Sequence, residues 1–497
     1  MASCEDVTIP VDGNGLVIYF RVRGKGFFFN GQTGFFADGI TEYAEQAFEA
    51  LAKPGRERKK IFQSLKVRYG AECESLLQNI ELLQSGNHPD LAPESRQERF
   101  YSRMRPRAIS VYLSQGCNLA CSYCFNQGGS LGEKPSFMSA DTARLTLDFI
   151  TGIVKSGAHE SMSVFLFGGE PLLNPQAVYL LSRGLHDLNH DGLETRVRLI
   201  LSTNGTIYNQ EIFDIFTECP EDSRVAVSLD AFKETHDRNR PFADKTKGSS
   251  YDLVTGNLKR MAKNNIPCSV SCMVPYPYDF VGAAKALHRL PVETLEIKQL
   301  NHYILGKRTL PEVFRKNFES WHERYLDYTD YYVEYMSEKS PVKHLDRLNL
   351  PGSYASRLAK KNGPGVTLAC RIGDASLAVD AAGRLLPCDA FLGCPEFYLG
   401  DVKNGFNAAK YTEFENWILS RGQHRIDNEH CRTCFAKRLC GGGCYAEMYN
   451  NTGSLQTPNP DACGYIRETV KINLYFISQM RKLQPEIFSN MPGKAIA

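Results

Sequence analysis

Three cysteines stand in Cys117-Asn-Leu-Ala-Cys121-Ser-Tyr-Cys124, a C-x3-C-x2-C spacing. Thiolates so placed can ligate three irons of a 4Fe–4S cube and leave the fourth iron without a protein ligand. That iron can take an exogenous molecule, as the open position of a catalytic metal site does. Structural zinc would ask for a fourth Cys or His close by, and this loop offers none. A second group runs Cys370-x12-Gly383-x4-Cys388, then Cys431-x2-Cys434-x5-Cys440-x3-Cys444, then Cys463, with Cys394 six residues after Cys388. Its thiols exceed what one tetrahedral ion or one cube can hold, so they imply two sites, iron–sulfur clusters or paired structural zincs. Apolar periodicity is thin there, and ligation would contribute much of the folding energy. Cys4, Cys73, Cys219, Cys268 and Cys272 lie apart from both groups and read as core or surface thiols.

Composition sets the compartment in which those thiols must work. The 497 residues are 42% hydrophobic, 11% aromatic and 23% charged. That is ordinary soluble-protein material, enough for roughly two to four domains. A formal net charge of +2 gives no reason to expect nucleic acid or an anionic membrane as partner. No stretch is long and apolar enough to cross a bilayer. The opening Met-Ala-Ser-Cys-Glu-Asp lacks the basic and apolar segments of a secretory signal. The expected compartment is the cytoplasm, where thiols stay reduced and clustered cysteines mean metal or catalysis before disulfides.

Elements to position the cysteines can be read along the chain. Residues 1–90 are expected to form a small α/β unit. Leu16 to Val22 and Phe27 to Phe29 are β-prone runs, with Gly24, Lys25 and Gly26 as the turn. A helical pattern follows with Ala44, Ala47, Phe48 and Leu51 on one face, then two shorter helical stretches ending near Leu83. The segment from His88 to Arg107, rich in proline and charge, reads as a linker. Across residues 106–305, apolar runs alternate with helical patterns, at Ile109–Leu113, Val164–Phe167, Val197–Leu201, Val225–Leu229, Ser269–Val274 and Leu295–Leu300. Such alternation implies a parallel sheet covered by helices, doubly wound or a partial barrel. The first helix should start at Ser139, with Ala143, Leu147, Ile150 and Val154 on its inner face. Residues 306–365 form a helical bridge in which Phe314, Phe318, Trp321, Tyr325, Tyr328, Tyr332 and Tyr335 recur at spacings of four and three. A packed helix seam accounts for that stripe better than an aromatic wall along a channel. Residues 366–475 hold the second cysteine group and run into a closing helix around Tyr465–Leu483.

In folds of this class the chemistry sits at the C-terminal ends of the strands. The cysteine loop follows the first run, Gly168-Gly169-Glu170-Pro171 the second, Ser202-Thr203-Asn204-Gly205 the third and Ser228-Leu229-Asp230 the fourth. Adjacent glycines bring bare backbone against a ligand, or merely supply a turn that needs positive φ. These polar ends converge on one mouth.

C-x3-C-x-aromatic-C followed one strand later by GGEP resembles the radical S-adenosylmethionine (SAM) superfamily over residues 106–305. The resemblance implies an α/β fold built on a partial (β/α)6, TIM-like barrel. It implies that Cys117, Cys121 and Cys124 hold a 4Fe–4S cluster whose open iron chelates the amino and carboxylate groups of SAM. Gly168, Gly169 and Glu170 would contact the methionine amine, and Ser228 and Arg240 are candidates for ribose or carboxylate contacts. Arg240, in His236-Asp237-Arg238-Asn239-Arg240, is equally readable as a surface salt-bridge residue. The second cysteine group resembles the SPASM domain of peptide-modifying radical SAM enzymes, which implies two auxiliary clusters and three 4Fe–4S clusters in all. Cys431, Cys434, Cys440 and Cys463 would ligate one auxiliary cluster completely. Cys370, Cys388 and Cys444 would give three ligands to the other, with Cys394, a substrate thiolate or a group from elsewhere as the fourth. Asp389 would then be a general base for a proton lost as the substrate radical is oxidised, or a carboxylate that orients its loop.

By the same resemblance, SAM is split reductively to a 5′-deoxyadenosyl radical, a peptide carbon loses hydrogen, and a surplus electron leaves through the auxiliary clusters. Residues 1–90 resemble a leader-peptide recognition element, which binds a leader as an added strand, though a small α/β unit also suits a scaffold. Tyr123-Cys124-Phe125, Gly128-Gly129, Phe137-Met138-Ser139 and Cys440-Gly-Gly-Gly-Cys444 are similar to maturases that make thioether cross-links. The expectation is an enzyme that installs a thioether or carbon–carbon cross-link in a ribosomally made precursor peptide with a leader. A low-potential donor of flavodoxin or ferredoxin type would serve it. One alternative is an anaerobic sulfatase maturase forming formylglycine from Cys or Ser. Cys388-Asp389 matches that family, whereas the N-terminal unit and the lack of a cysteine shortly after Cys370 depart from it. Another is a non-catalytic iron–sulfur peptide-binding protein, which the intact C-x3-C-x2-C argues against.

Overall fold

Phe20, Phe27 and Phe29 pack to one side of the N-terminal strands while Tyr19 and Phe28 pack to the other, so these strands need cover on both faces. A computed structural model describes residues 7–11, 15–31, 36–38, 42–51, 53–84, 106–124, 126, 128, 134–157, 159–191, 193–219, 221–292, 294–299, 317–338, 372, 376–418 and 429–483. In it the strands β1 (Val7–Val11), β2 (Gly15–Val22), β3 (Lys25–Asn30) and β4 (Phe36–Asp38) form an antiparallel sheet in that order. One face rests on α1 (Glu42–Leu51) and α2 (Gly55–Gln84), where Phe48 stacks on Tyr19 and Phe28 with ring centroids 5.7 and 4.6 Å apart. The hairpin turn is Arg23-Gly24 alone, with φ of 51° and 74°, the left-handed pair that suits a two-residue hairpin. Lys25 and Gly26, expected in the turn, instead open β3. The two expected short helices are both present, separated within α2 by a break at Gly70, whose φ of 67° is not helical.

The main sheet begins with β5 (Ala108–Ser114), β6 (Ser161–Gly168), β7 (Arg196–Thr203), β8 (Ser223–Ser228), β9 (Cys268–Val274) and β10 (Thr294–Gln299). Every neighbouring pair is parallel, and the strands lie in sequence order. That order never reverses, whereas a doubly wound sheet reverses at its switch point, so the winding is of the barrel kind. The intervening helices are α3 (Ala140–Lys155), α4 (Pro175–Leu188), α5 (Gln210–Glu218), α6 (Lys233–Asn239), α7 (Ser250–Lys263) and α8 (Phe280–Leu287). Ser139 caps α3 by accepting the Thr142 N–H at 3.0 Å, and Ala143, Ile150 and Val154 are buried as their spacing requires.

Past residue 300 the sequence suggested no strands, yet the sheet continues. β11 (Ser376–Val379) pairs parallel with β5 on its other side, and β12 (Arg384–Leu386), β13 (Gly400–Asp401) and β14 (Gly405–Phe406) follow antiparallel. Helix α9 (Phe318–Glu338) is followed by α10 (Ala408–Ile418), α11 (Tyr445–Thr452) and α12 (Pro460–Leu483). The aromatic stripe is a packed seam: Trp321 meets Tyr465 at 4.9 Å, Tyr332 meets Phe476 at 5.9 Å, and Tyr325 meets Phe280 at 5.2 Å. Phe314 lies outside the described residues. The N-terminal sheet docks on this seam through Arg23, whose guanidinium reaches Glu323, Asp327 and Asp330 at 3.0, 2.6 and 3.0 Å. A Cβ on Gly31 would stand 2.0 Å from the Phe435 carbonyl oxygen, so only glycine allows that approach. Among the described residues, no helix is long and apolar enough to cross a membrane.

Candidate active site

The ends of β5 and β6 close on each other to shape the first cysteine loop. Gly169 N–H donates to Ser114 O at 2.7 Å, and Glu170 N–H donates to Gly116 O at 2.9 Å. Gly168 has φ 151°, and a Cβ there would lie 2.3 Å from Ser114 O. These two N–H groups are spent on the chain itself, and a ligand's ammonium, a donor, can be met by this turn's backbone only through carbonyl oxygens. On its far side the loop is stapled to the segment after α6. Ala120 N–H donates to Pro241 O and Ser122 N–H to Asn239 O, both at 2.8 Å, while Ala243 N–H returns to Asn118 O at 2.9 Å.

Within the loop the thiols face one another. Burial, aided by Glu170 and Cys124, pushes the Cys117 thiol up to about 11 against hydrogen bonds from Leu119 and Asn204. Cys121 rises to about 12, again through burial first, with Arg240 opposing and Cys117 and Cys124 adding. Glu170 lies beneath, wholly buried. Its carboxylate accepts from Leu172 N–H at 3.1 Å, Thr203 Oγ1 at 2.8 Å and Asn204 N–H at 2.7 Å. Burial outweighs those donors and holds the carboxyl at about 7. Asn204 joins the third strand end to the loop, its Nδ2 lying 3.6 Å from Cys117 Sγ and 2.8 Å from Asn118 Oδ1.

At the fourth strand end Ser228 is half-buried, in register with Ser271 of β9. Two residues on, Asp230 gathers Tyr123 OH at 2.5 Å and Arg240 Nε at 3.2 Å. Arg240 also lies 5.2 Å from the Tyr123 ring centroid and is buried, which removes the surface salt-bridge reading of that residue. Burial lowers the neighbouring His236 to about 4. A cavity of about 320 Å³ opens beside Asp230, with Phe232, Met273 and Tyr276 among its walls.

Of the second cysteine group, Cys388 and Cys394 follow the first added hairpin closely in the chain. Gly383, with φ 82°, turns the β11–β12 hairpin, and Asp380 Oδ1 fixes it by accepting Ala382 and Arg384 N–H at 3.0 and 2.9 Å. Cys388 and Asp389 follow β12. They lie within electrostatic reach of Tyr112, as Cys124 does, so the hairpin end and the first loop look onto one buried phenol. Burial pushes the Asp389 carboxyl up. Cys394 stands one short turn later, near Tyr449 of α11. Cys431, Cys434, Cys440 and Cys463 line a cavity of about 180 Å³, with Cys444 outside that lining at the start of α11. Cys463 is pushed up to about 11 by burial, then by Cys440 and Cys434. Cys370 lies outside the described residues.

Residues 111–285 match the family model described as the Radical SAM superfamily. This part of the chain is a radical SAM domain. A cysteine-type anaerobic sulfatase-maturating enzyme of Clostridium perfringens is 22% identical over 351 residues, 67% of this chain and 86% of the relative. The serine-type enzyme of Bacteroides thetaiotaomicron is 24% identical over 356 residues, 68% of this chain and 81% of the relative. Among solved structures, native anSMEcpe with bound AdoMet superposes with a TM-score of 0.59 at 18% identity, covering 76% of this chain and 100% of that one. Streptococcus suis SuiB bound to precursor peptide SuiA gives 0.51 at 14% identity, covering 92% and 99%. The chain is thus an enzyme that carries a radical SAM domain, and that domain implies SAM and a 4Fe–4S cluster.

The thiols of the radical SAM domain fit a cube better than a single ion. A tetrahedral zinc site brings its donors to roughly 3.3–3.8 Å of one another. Among the described residues, Cys117, Cys121 and Cys124 do not close to within 4.8 Å as a set, although they share one loop and none is in a disulfide. Sequence reasoning passed over Asn204, Tyr123 and Asp230 as individual site residues. The strand-end rule had marked the segments around Asn204 and Asp230, but their partners lie 87 and 107 residues away.

Proposed function

We propose that this radical SAM enzyme is a maturase that installs a cross-link, thioether or carbon–carbon, in a ribosomally made precursor peptide. The observation that carries the reading is the N-terminal antiparallel sheet with its two helices, built onto the radical SAM domain. The likeness to precursor-bound SuiB extends over more of the chain than the likeness to anSMEcpe does. Such a sheet can take a leader as an added strand, giving affinity remote from the chemistry.

When bound at Cys117, Cys121 and Cys124, the cluster and SAM supply a 5′-deoxyadenosyl radical able to take hydrogen from a peptide carbon. The chain's own groups then have separable tasks. Carbonyl oxygens of Gly168, Gly169 and Glu170 receive the methionine ammonium, and Ser228 meets the ribose. Arg240 acts as a positioning residue: held by Asp230 and lying against Tyr123, it fixes the segment that staples the cysteine loop. Cys431, Cys434, Cys440 and Cys463 would hold one auxiliary cluster, and Cys370, Cys388 and Cys444 another, with Cys394 or a substrate thiolate as its fourth ligand. Asp389 takes the proton released from the substrate. A low-potential flavodoxin or ferredoxin in the cytoplasm supplies electrons.

A second reading, formylglycine formation in a sulfatase, is favoured by the two sulfatase-maturating relatives and by Cys388-Asp389. Mass spectrometry of a candidate peptide co-expressed with the enzyme separates the two. Loss of two hydrogens with two residues joined in the fragment spectra and no hydrazide-reactive aldehyde supports a cross-link. A hydrazide-reactive aldehyde on one former Ser (two hydrogens lost) or Cys (two hydrogens lost and sulfur replaced by oxygen) supports the second reading. Reduced, reconstituted protein that released no 5′-deoxyadenosine from SAM would sink both.

A further inference from the structure

Helices α4 and α5 each leave the cysteine-loop rim and end at the opposite rim, where the next strand begins. A separate set of metal-ligating side chains converges there. His186 sits in the last turn of α4 and His190 four residues later. The bonds Asn189 N–H to His186 O at 3.0 Å and His190 N–H to Asp187 O at 2.9 Å prolong the helical path, so both imidazoles share one side. Their ring centroids are 4.8 Å apart. Cys219 caps the end of α5, its Sγ 3.8 Å from His190 Nε2. One ring nitrogen from each histidine and the Cys219 sulfur lie within 4.8 Å of one another.

The His186 side chain is 5% exposed, and its Nε2 makes no hydrogen bond. Glu218 Oε2 lies 3.5 Å from that nitrogen, but Arg183 already forks onto both oxygens of Glu218 at 2.8 Å. A buried polar nitrogen left without a partner is costly. Asp187 adds a second carboxylate, 3.3 Å from His186 Nδ1 and 3.8 Å from Arg183. Two carboxylates against one guanidinium leave negative charge over, and the C-termini of two helices add to it. The place favours a cation.

We propose that His186, His190 and Cys219 bind zinc, with water or the Glu218 carboxylate in the fourth position. Two imidazoles spaced H-x3-H and one thiolate are a zinc donor set. Donors in a tetrahedral site stand roughly 3.3–3.8 Å apart, so closure requires side-chain movements of about 1 Å. The backbone is already fixed for it. The Asn189 side chain holds Val197 N–H and C=O of β7 at 2.8 and 2.9 Å, and Ser223 Oγ holds Cys219 O at 2.6 Å. The ion would clamp the ends of α4 and α5 together, and it would take no part in the reaction at the other rim. Cys219, which by sequence reads as an inert thiol, acquires a role.

The test uses cluster-replete protein, equilibrated with zinc chloride, freed of loose metal, and assayed for zinc and iron per chain. One zinc beyond background is expected. His190→Ala and Cys219→Ser should each weaken zinc retention by about ten-fold or more, since losing even an outer partner of a ligand weakens metal affinity by roughly 10–100-fold. Iron content and SAM cleavage should stay unchanged, and His190→Cys, which restores a donor, should keep the zinc. Protein that takes up no zinc, or zinc that survives both His190→Ala and Cys219→Ser, would overturn the site. Unchanged iron in the variants shows that any loss of zinc is not a loss of fold.

Discussion

Glu170 is caught between a burial cost that opposes its charge and three hydrogen-bond donors that favour it. Burial wins, and the carboxyl sits at about 7 instead of 4.5. Because the folded state holds the proton more tightly, this group's contribution to stability is complete below about pH 4.5 and fades as pH rises through about 7. Glu170→Gln keeps the shape but turns an NH2 toward one of the donors Leu172, Thr203 or Asn204. Below about pH 4.5 the protonated wild-type carboxyl also turns a hydrogen toward one of them, so SAM-free variant and wild type should be close in unfolding free energy there. As pH rises from about 5 to 7 the wild type should lose stability relative to the variant, as read by urea denaturation; a difference that stays flat rejects this balance. Gly168 tests close approach in place of charge. Its alanine would combine φ 151° with a 2.3 Å contact to Ser114 O. Gly168→Ala should cost more than about 2 kcal/mol, measured the same way.

Between elements, the cysteine loop depends on what α6 delivers. Asp230, from the end of β8, and Arg240, from the end of α6, are 1% and 8% exposed in their side chains and pair at 3.2 Å. Removing one partner of a buried pair strands the other charge. Arg240→Met should therefore cost about 3–5 kcal/mol, and adding Asp230→Asn should recover most of it. Denaturation of both variants checks this, and strictly additive losses would show that the pair does not act as a unit. None of this pairing was legible in the sequence. The six parallel strands were, because Val, Ile and Leu runs carry their own signal, and so was α3, because Ser139 caps it. β11 to β14 were not: they are four, three, two and two residues long, too short for a period, and they exist through pairing with β5 and one another. The hairpin turn was carried two residues too far, to Gly26, because that glycine looks like a turn residue, whereas the register Val22 to Lys25 leaves room for only Arg23 and Gly24. Strand-end reasoning reached Asn204 and Asp230 as neighbourhoods, since it locates a rim without saying which groups meet across it.

At the scale of the whole molecule, the N-terminal sheet is shared between two cores. Tyr19 and Phe28 belong with α1 and α2, while Phe20, Phe27 and Phe29 belong to the large core that runs through the main sheet and α12. Phe27 meets Tyr475 of α12 at 6.1 Å, and Phe29 meets Phe435 at 6.3 Å beside Cys434. A unit joined in this way should melt with the rest of the chain. The two kinds of contact differ in weight. Arg23 touches three carboxylates whose side chains are 39–62% exposed, so solvent screens those pairs. Phe29 is wholly buried. Arg23→Ala should cost about 1 kcal/mol or less, whereas Phe29→Ala should cost about 3–5 kcal/mol. Calorimetry of both variants should show one transition displaced as a whole, with the larger displacement in Phe29→Ala. An early, separate transition moved by Phe29→Ala while the main one stays fixed would mean that the N-terminal sheet folds on its own. In that case a leader bound there could not hold a peptide at a fixed distance from the cysteine loop, because the connection would be a tether and not a shared core.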